Sequence, residues 1–141
     1  MQTYIDTYTP FDKLENIVLL KEALDTQFSY LGPVTTFHFM TDIGLPVLKP
    51  DRVIMRLFRR LHLVDSESQI WRAVFEGRKI AEAVGEPIRY VDIVLVTFGQ
   101  ARTRDWGIQQ GICLEKYPKC NQCGVSRFCD YFARQTNTSS I

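Results

Sequence analysis

The sequence predicts an all-α fold, on three observations. Apolar residues recur three and four positions apart through most of the chain, and glycine and proline punctuate the gaps between these stretches. The one β-branched run, residues 91–98, has no second run with which to form a sheet, so it is read as a buried helix ending at Gly99. The 141 residues suffice for one domain with a core. No apolar run approaches the ~18 residues needed to span a bilayer, and no cleavable leader is evident, so cytoplasmic residence is expected, nucleoid-associated in a bacterium.

In chain order, residues 1–8 are polar and aromatic without a period and read as an N-terminal arm. Thr9, Pro10 and Asp12 supply a cap oxygen, a first-turn proline and an acid, which predicts a helix over about 10–27 with Leu14, Ile17, Leu20 and Leu24 on one face. Gly32 and Pro33 break it, giving a hairpin over about 29–35. A second short helix over 34–43 then closes on Gly44.

Pro46 and Pro50 constrain the connector that follows. Asp51 stands where a helix to about residue 61 begins, with Val53, Ile54, Leu57 and Phe58 turned inward. An acid there is either a helix cap or a functional carboxylate. Asp65 or Ser66 is expected to cap the next helix, with Ile70, Trp71, Val74, Phe75, Ile80, Ala81 and Val84 inward and Gly77 as a weak point. Residues 100–112 are a polar lead-in, and residues 135–141 read as a disordered tail.

Net charge is +1, so no global attraction to a polyanion exists, but the charge is unevenly placed. Residues 1–48 carry −4 and residues 49–141 carry +5, gathered at Lys49, Arg52, Arg56, Arg59 and Arg60 and again from Arg102 to Arg134. Such clusters suit phosphate contacts or simply form a solvated helix face.

All four cysteines fall between residues 113 and 129, spaced C-x6-C-x2-C-x5-C. Four soft thiolates suit zinc or an iron–sulfur cluster better than disulfides, which belong to smaller secreted scaffolds. Cys113, Cys120, Cys123 and Cys129 are therefore the expected ligands, and spacing leaves zinc and iron open. His38 and His62 read as packed or surface residues, since four cysteines already complete a site.

Tyr117, Pro118 and Lys119 before the second cysteine, the spacing itself, the hairpin 31–35, Gly44, Pro46 and Asp51 together resemble the helix–hairpin–helix/Gly-Pro-Asp superfamily of DNA glycosylases with an endonuclease III-type cluster loop. The resemblance covers roughly residues 10–134. It implies a helix–hairpin–helix glycosylase-like domain over 9–112 and a 4Fe–4S loop over 113–134, with zinc as the alternative. It also implies hydrolysis of the N-glycosidic bond of a damaged or mispaired base in double-stranded DNA, with Asp51 as the carboxylate facing the sugar. Gly32, Pro33, Val34, Thr35 and Thr36 would meet one stretch of phosphates, and Lys116 and Lys119 another. Val34 stands where bifunctional members carry their lysine nucleophile, which implies a monofunctional enzyme. Residues 39–40, 43–44 and 49–52 lean towards the 3-methyladenine glycosylases. Members carry a long helical bundle before the hairpin, which implies a fragment, a natural remnant, or a subunit whose base pocket is completed by a partner chain or second copy. The alternative is a non-catalytic DNA-binding iron–sulfur module.

Overall fold

The computed structural model describes residues 5–101 and 110–138, and among these the chain forms six α-helices and no strand. In order they are α1 (Leu14–Gln27), α2 (Thr35–Asp42), α3 (Arg52–Arg60), α4 (Ile70–Val84), α5 (Ile88–Gly99) and α6 (Asp130–Thr138). Two single 3₁₀ turns, Cys120–Gln122 and Ser126–Phe128, lie between α5 and α6. Among the described residues no helix is long and apolar enough to cross a membrane.

Two apolar clusters hold these helices together. The first joins Ile17, Leu20 and Leu24 of α1 to Phe37 and Met40 of α2, with Val47 and Val74. The second joins Ile54, Met55, Leu57 and Phe58 of α3 to Ala73 and Ala81 of α4 and Ile88 and Val91 of α5, around Leu48 and Val64. Helix α4 contributes to both clusters. The connector lies against it at Gly77, where a Cβ would stand 2.6 Å from Leu48 Cδ2. Gly77 therefore serves close packing within one unbroken helix rather than a break in it. Each fully buried large apolar side chain contributes about 1.5–3 kcal/mol.

The helix ends follow local chemistry in places. Gly44, at φ 86°, ends α2 in a double turn: its amide donates to Thr41 O and the Leu45 amide to Met40 O. Gly85, at φ 69°, ends α4 in the same way, with Glu86 N donating to Ala81 O.

Other expectations are corrected. Helix α1 starts at Leu14, not near residue 10, because the Thr9 hydroxyl turns back onto Asp6 O at 2.8 Å instead of capping. Neither Asp65 nor Ser66 caps α4. Asp65 takes Arg72 at 2.6 Å, Ser66 meets Ser68, and Gln69 precedes the first turn. Helix α4 turns Ala73, Val74, Gly77 and Ala81 inward, whereas Val84 is exposed. Helix α5 is only partly buried: Val94 faces solvent while Asp92 is 1% exposed. The expected tail is also shorter, since residues 135–138 continue α6, where the Thr136 hydroxyl donates back to Ala133 O. Of the lead-in 100–112, residues 102–109 lie outside the described residues, as do 1–4 and 139–141.

After that lead-in the chain rejoins the end of α5. Gly111 N donates to Gln100 O at 2.8 Å, and the amides of Ile112 and Cys113 both donate to Phe98 O at 2.9 Å. A Cβ on Gly111 would lie 2.5–2.7 Å from three backbone carbonyl oxygens, which cannot swing aside. Gly111→Ala is expected to lower stability by about 2 kcal/mol or more in a urea melt. Gly124→Ala, with open space around it, should stay within about 0.5 kcal/mol of the parent.

Candidate functional site

Helix α3 links the two regions singled out in the sequence. Asp51 is its N-cap: Oδ1 accepts from the Val53 and Ile54 amides at 2.9 and 3.0 Å. Its other oxygen faces Lys49 Nζ at 3.7 Å, and the side chain is 19% exposed. One oxygen therefore fixes the carboxylate while the second stays within reach of solvent. The cap reading of Asp51 holds, and it leaves room for a second role.

The far side of α3 carries arginines one turn apart, and they hold the cysteine loop. Arg52 Nη2 pairs with Glu115 at 2.5 Å. Arg56 Nη2 donates to Gly99 O at 2.6 Å and to Cys113 O at 3.4 Å. Arg60 donates to Leu114 O at 2.7 Å, to Glu115 O at 3.1 Å and to Cys113 Sγ at 3.2 Å. It also lies over the Tyr131 ring at 4.3 Å. Lys49 pairs with Asp51, and Arg59 lies 3.5 Å from Glu67. The basic cluster 49–60 is thus largely engaged inside the protein rather than free for phosphates.

The four cysteines are half-buried free thiols. Burial pushes the Cys120 thiol up, and the charges of Cys113, Cys129 and Cys123 push it further. Cys129 Sγ donates to Arg60 O at 3.4 Å. Among the described residues no three side chains are close enough together to hold a metal. The donor set itself fits a soft metal or cluster: four sulfurs, with a guanidinium N–H already on one of them.

At the first turn, the remaining expected contacts separate. No side chain caps α2 at Val34, Pro33 and Thr35 are exposed, and Gly32 has open space where a Cβ would stand. Thr36 is fully buried, its hydroxyl donating to Asp25 with Gly32 O also within reach at 3.1 Å, so it is not open to a phosphate. Lys116 is exposed and Lys119 half-buried on the loop.

Sequence reading missed Asp92, one of two polar groups whose charges or burial bear on the Asp51 region. Asp92 of α5 has Oδ2 on Arg89 at 2.9 Å, whereas its buried Oδ1 has no hydrogen-bond partner. Burial raises its pKa, against the pull of Lys49 and Arg89, and Asp51 adds to the rise. His38 also has a buried, unpartnered Nε2. Burial and then Lys49 lower its pKa, while Asp51 and Asp42 oppose that, so at neutral pH the ring is uncharged. An acidic residue on an apolar helix gives no signal of burial beyond its place beside Val91. His62, by contrast, sits at φ 59° and pairs with Asp130 at 3.0 Å.

No family model, curated protein or solved structure matches this chain.

Folded Asp92 holds its proton more tightly than the unfolded chain, whose carboxyl titrates near 3.8. The native state therefore carries the extra proton above that pH, and stability falls as pH rises through the window up to the raised folded value. Asp92→Asn should match the parent below pH 3.8 and melt at progressively higher temperature than the parent towards neutrality.

Proposed function

We propose that this chain is a helix–hairpin–helix-like DNA base-excision glycosylase, monofunctional, whose C-terminal loop carries a 4Fe–4S cluster. The observation that carries the reading is the double use of Asp51. One oxygen is locked by helix amides and the other is left partly exposed, on the helix whose arginines clasp the four-cysteine loop.

In this reading the target base leaves the stack at a cost of a few kcal/mol, least for a weakly paired base. Breaking the N-glycosidic bond builds positive charge on the sugar, which a carboxylate fixed in place stabilises without rearranging. Lys49 Nζ stands 3.7 Å from the second oxygen of that carboxylate. Gly32, Pro33, Val34 and Thr35 offer backbone and a hydroxyl to one run of phosphates, at an uncapped helix start whose polarity favours anions. Lys116 and Lys119 offer charge to another. The cluster, bound by Cys113, Cys120, Cys123 and Cys129, would hold the loop in shape; zinc is the alternative occupant.

A second reading, a DNA-binding module without excision, draws on the cavities. Three spaces of about 400, 430 and 610 Å³ are lined by residues around Trp71, around Arg59 and around Pro87, and none of these three includes Asp51. A base pocket at Asp51 would then need walls from a partner chain or a second copy.

Asp51→Asn keeps a cap acceptor, so it should leave the melting temperature unchanged while lowering excision of alkylated, oxidised or deaminated bases roughly 10²–10³-fold. Equal activity in parent and variant would favour the binding module. Anaerobic purification should give visible absorption with iron and sulfide; a colourless protein holding zinc would replace the cluster. Gly32→Ala, which meets no neighbour, should fold normally yet bind duplex DNA more weakly, measured by anisotropy. Lys119→Ala should weaken all sequences alike and lower the salt slope by about 1.

A further inference from the structure

The cysteine loop holds three aromatic or cationic features with no role inside the fold. Tyr117 is 92% exposed and Phe128 64% exposed, and the Arg127 guanidinium lies 4.5 Å from the Phe128 ring centre. Tyr117 sits at φ 53°, the left-handed region, although it precedes Pro118, and a proline disfavours helical backbone in the residue before it. A bulky ring is thus held outward, in a conformation that L residues adopt at a cost, without burying anything in return.

Charge around these rings is one-sided. Glu115 is turned away to Arg52, and Asp130 to His62. Lys116, Lys119 and Arg127 pair with no carboxylate among the described residues. The loop therefore presents open aromatic faces among three uncompensated cations. Stacking is indifferent to base identity but needs an unstacked base, and lysines and arginine supply the backbone attraction.

We propose that the cysteine loop is a stacking platform for an unpaired DNA segment, with Tyr117 and Phe128 as base-stacking rings and Lys116, Lys119 and Arg127 on the phosphates. The proposal deepens the DNA-repair reading by naming its substrate class, DNA with a locally opened strand, but its test does not depend on excision. A duplex keeps its bases stacked and offers the rings nothing but its ends. A protein partner is the competing occupant, and it would show no dependence on nucleic acid.

The test is anisotropy of fluorescein-labelled oligo(dT) against a blunt-ended duplex of equal length, using the purified chain. Tyr117→Ala should bind oligo(dT) roughly 5- to 150-fold more weakly and the duplex within about twofold of the parent. Tyr117→Phe should retain oligo(dT) affinity. Tyr117→Gly suits the left-handed backbone and should lose affinity as Tyr117→Ala does. Binding of oligo(dT) should fall with log salt at a slope of about −2, as three released cation contacts require. The proposal is overturned if Tyr117→Ala leaves oligo(dT) binding unchanged, if it weakens the duplex equally, or if Tyr117→Gly restores binding. Tyr117-dependent oligo(dT) binding in a chain that excises no base would sink the glycosylase reading and sustain the platform.

Discussion

Three guanidinium groups on one face of α3 hold the cysteine loop to the helical body, and the placement of that loop against Asp51's helix depends on them. Arg52, Arg56 and Arg60 reach Glu115, Cys113, Leu114 and the end of α5. Guanidinium suits the task because it is planar, always charged and offers several donors in fixed directions. Without the carbonyls of residues 113–115, these charges would stand over a helix with a fully buried opposite face. With them, α3 joins its capping aspartate at one end to a thiol at the other as one rigid piece.

A second constraint is the polar inclusion behind Asp51. Asp92 and His38 each feel the charges of Lys49 and Asp51, and both keep a buried atom unpartnered. Isolated buried polar groups cost stability, and such groups gather where chemistry or a ligand later uses them. Here they flank the carboxylate to which the proposed mechanism assigns the sugar.

Much of the helical body was legible because its signals are local. The Ile17, Leu20 and Leu24 face, the glycine stop at Gly44 and the Asp51 cap depend only on neighbours in sequence. What stayed hidden depends on partners far along the chain. Arg60 reads as a phosphate contact or part of a solvated face until Leu114, 54 residues away, takes its N–H. Thr36 reads as a free hydroxyl until Asp25 claims it, and the α5 run reads as buried throughout until Val94 is found in solvent. Thr9 and Asp65 failed as caps for a related reason: a short polar side chain has several nearby acceptors, and tertiary fit chooses among them. The four cysteines were legible as a set, whereas their mutual spacing in three dimensions was not.

The stapling of Gly111 to Gln100 has an evolutionary corollary. Where a stretch of chain leaves and returns through one doorway, its length is uncoupled from the frame on either side. For a flexible chain, closing two such points together costs entropy that grows only as the logarithm of length, about 0.6 kcal/mol per doubling. New recognition elements can therefore be trialled at this doorway, beside the thiol loop, without disturbing the helices that carry it.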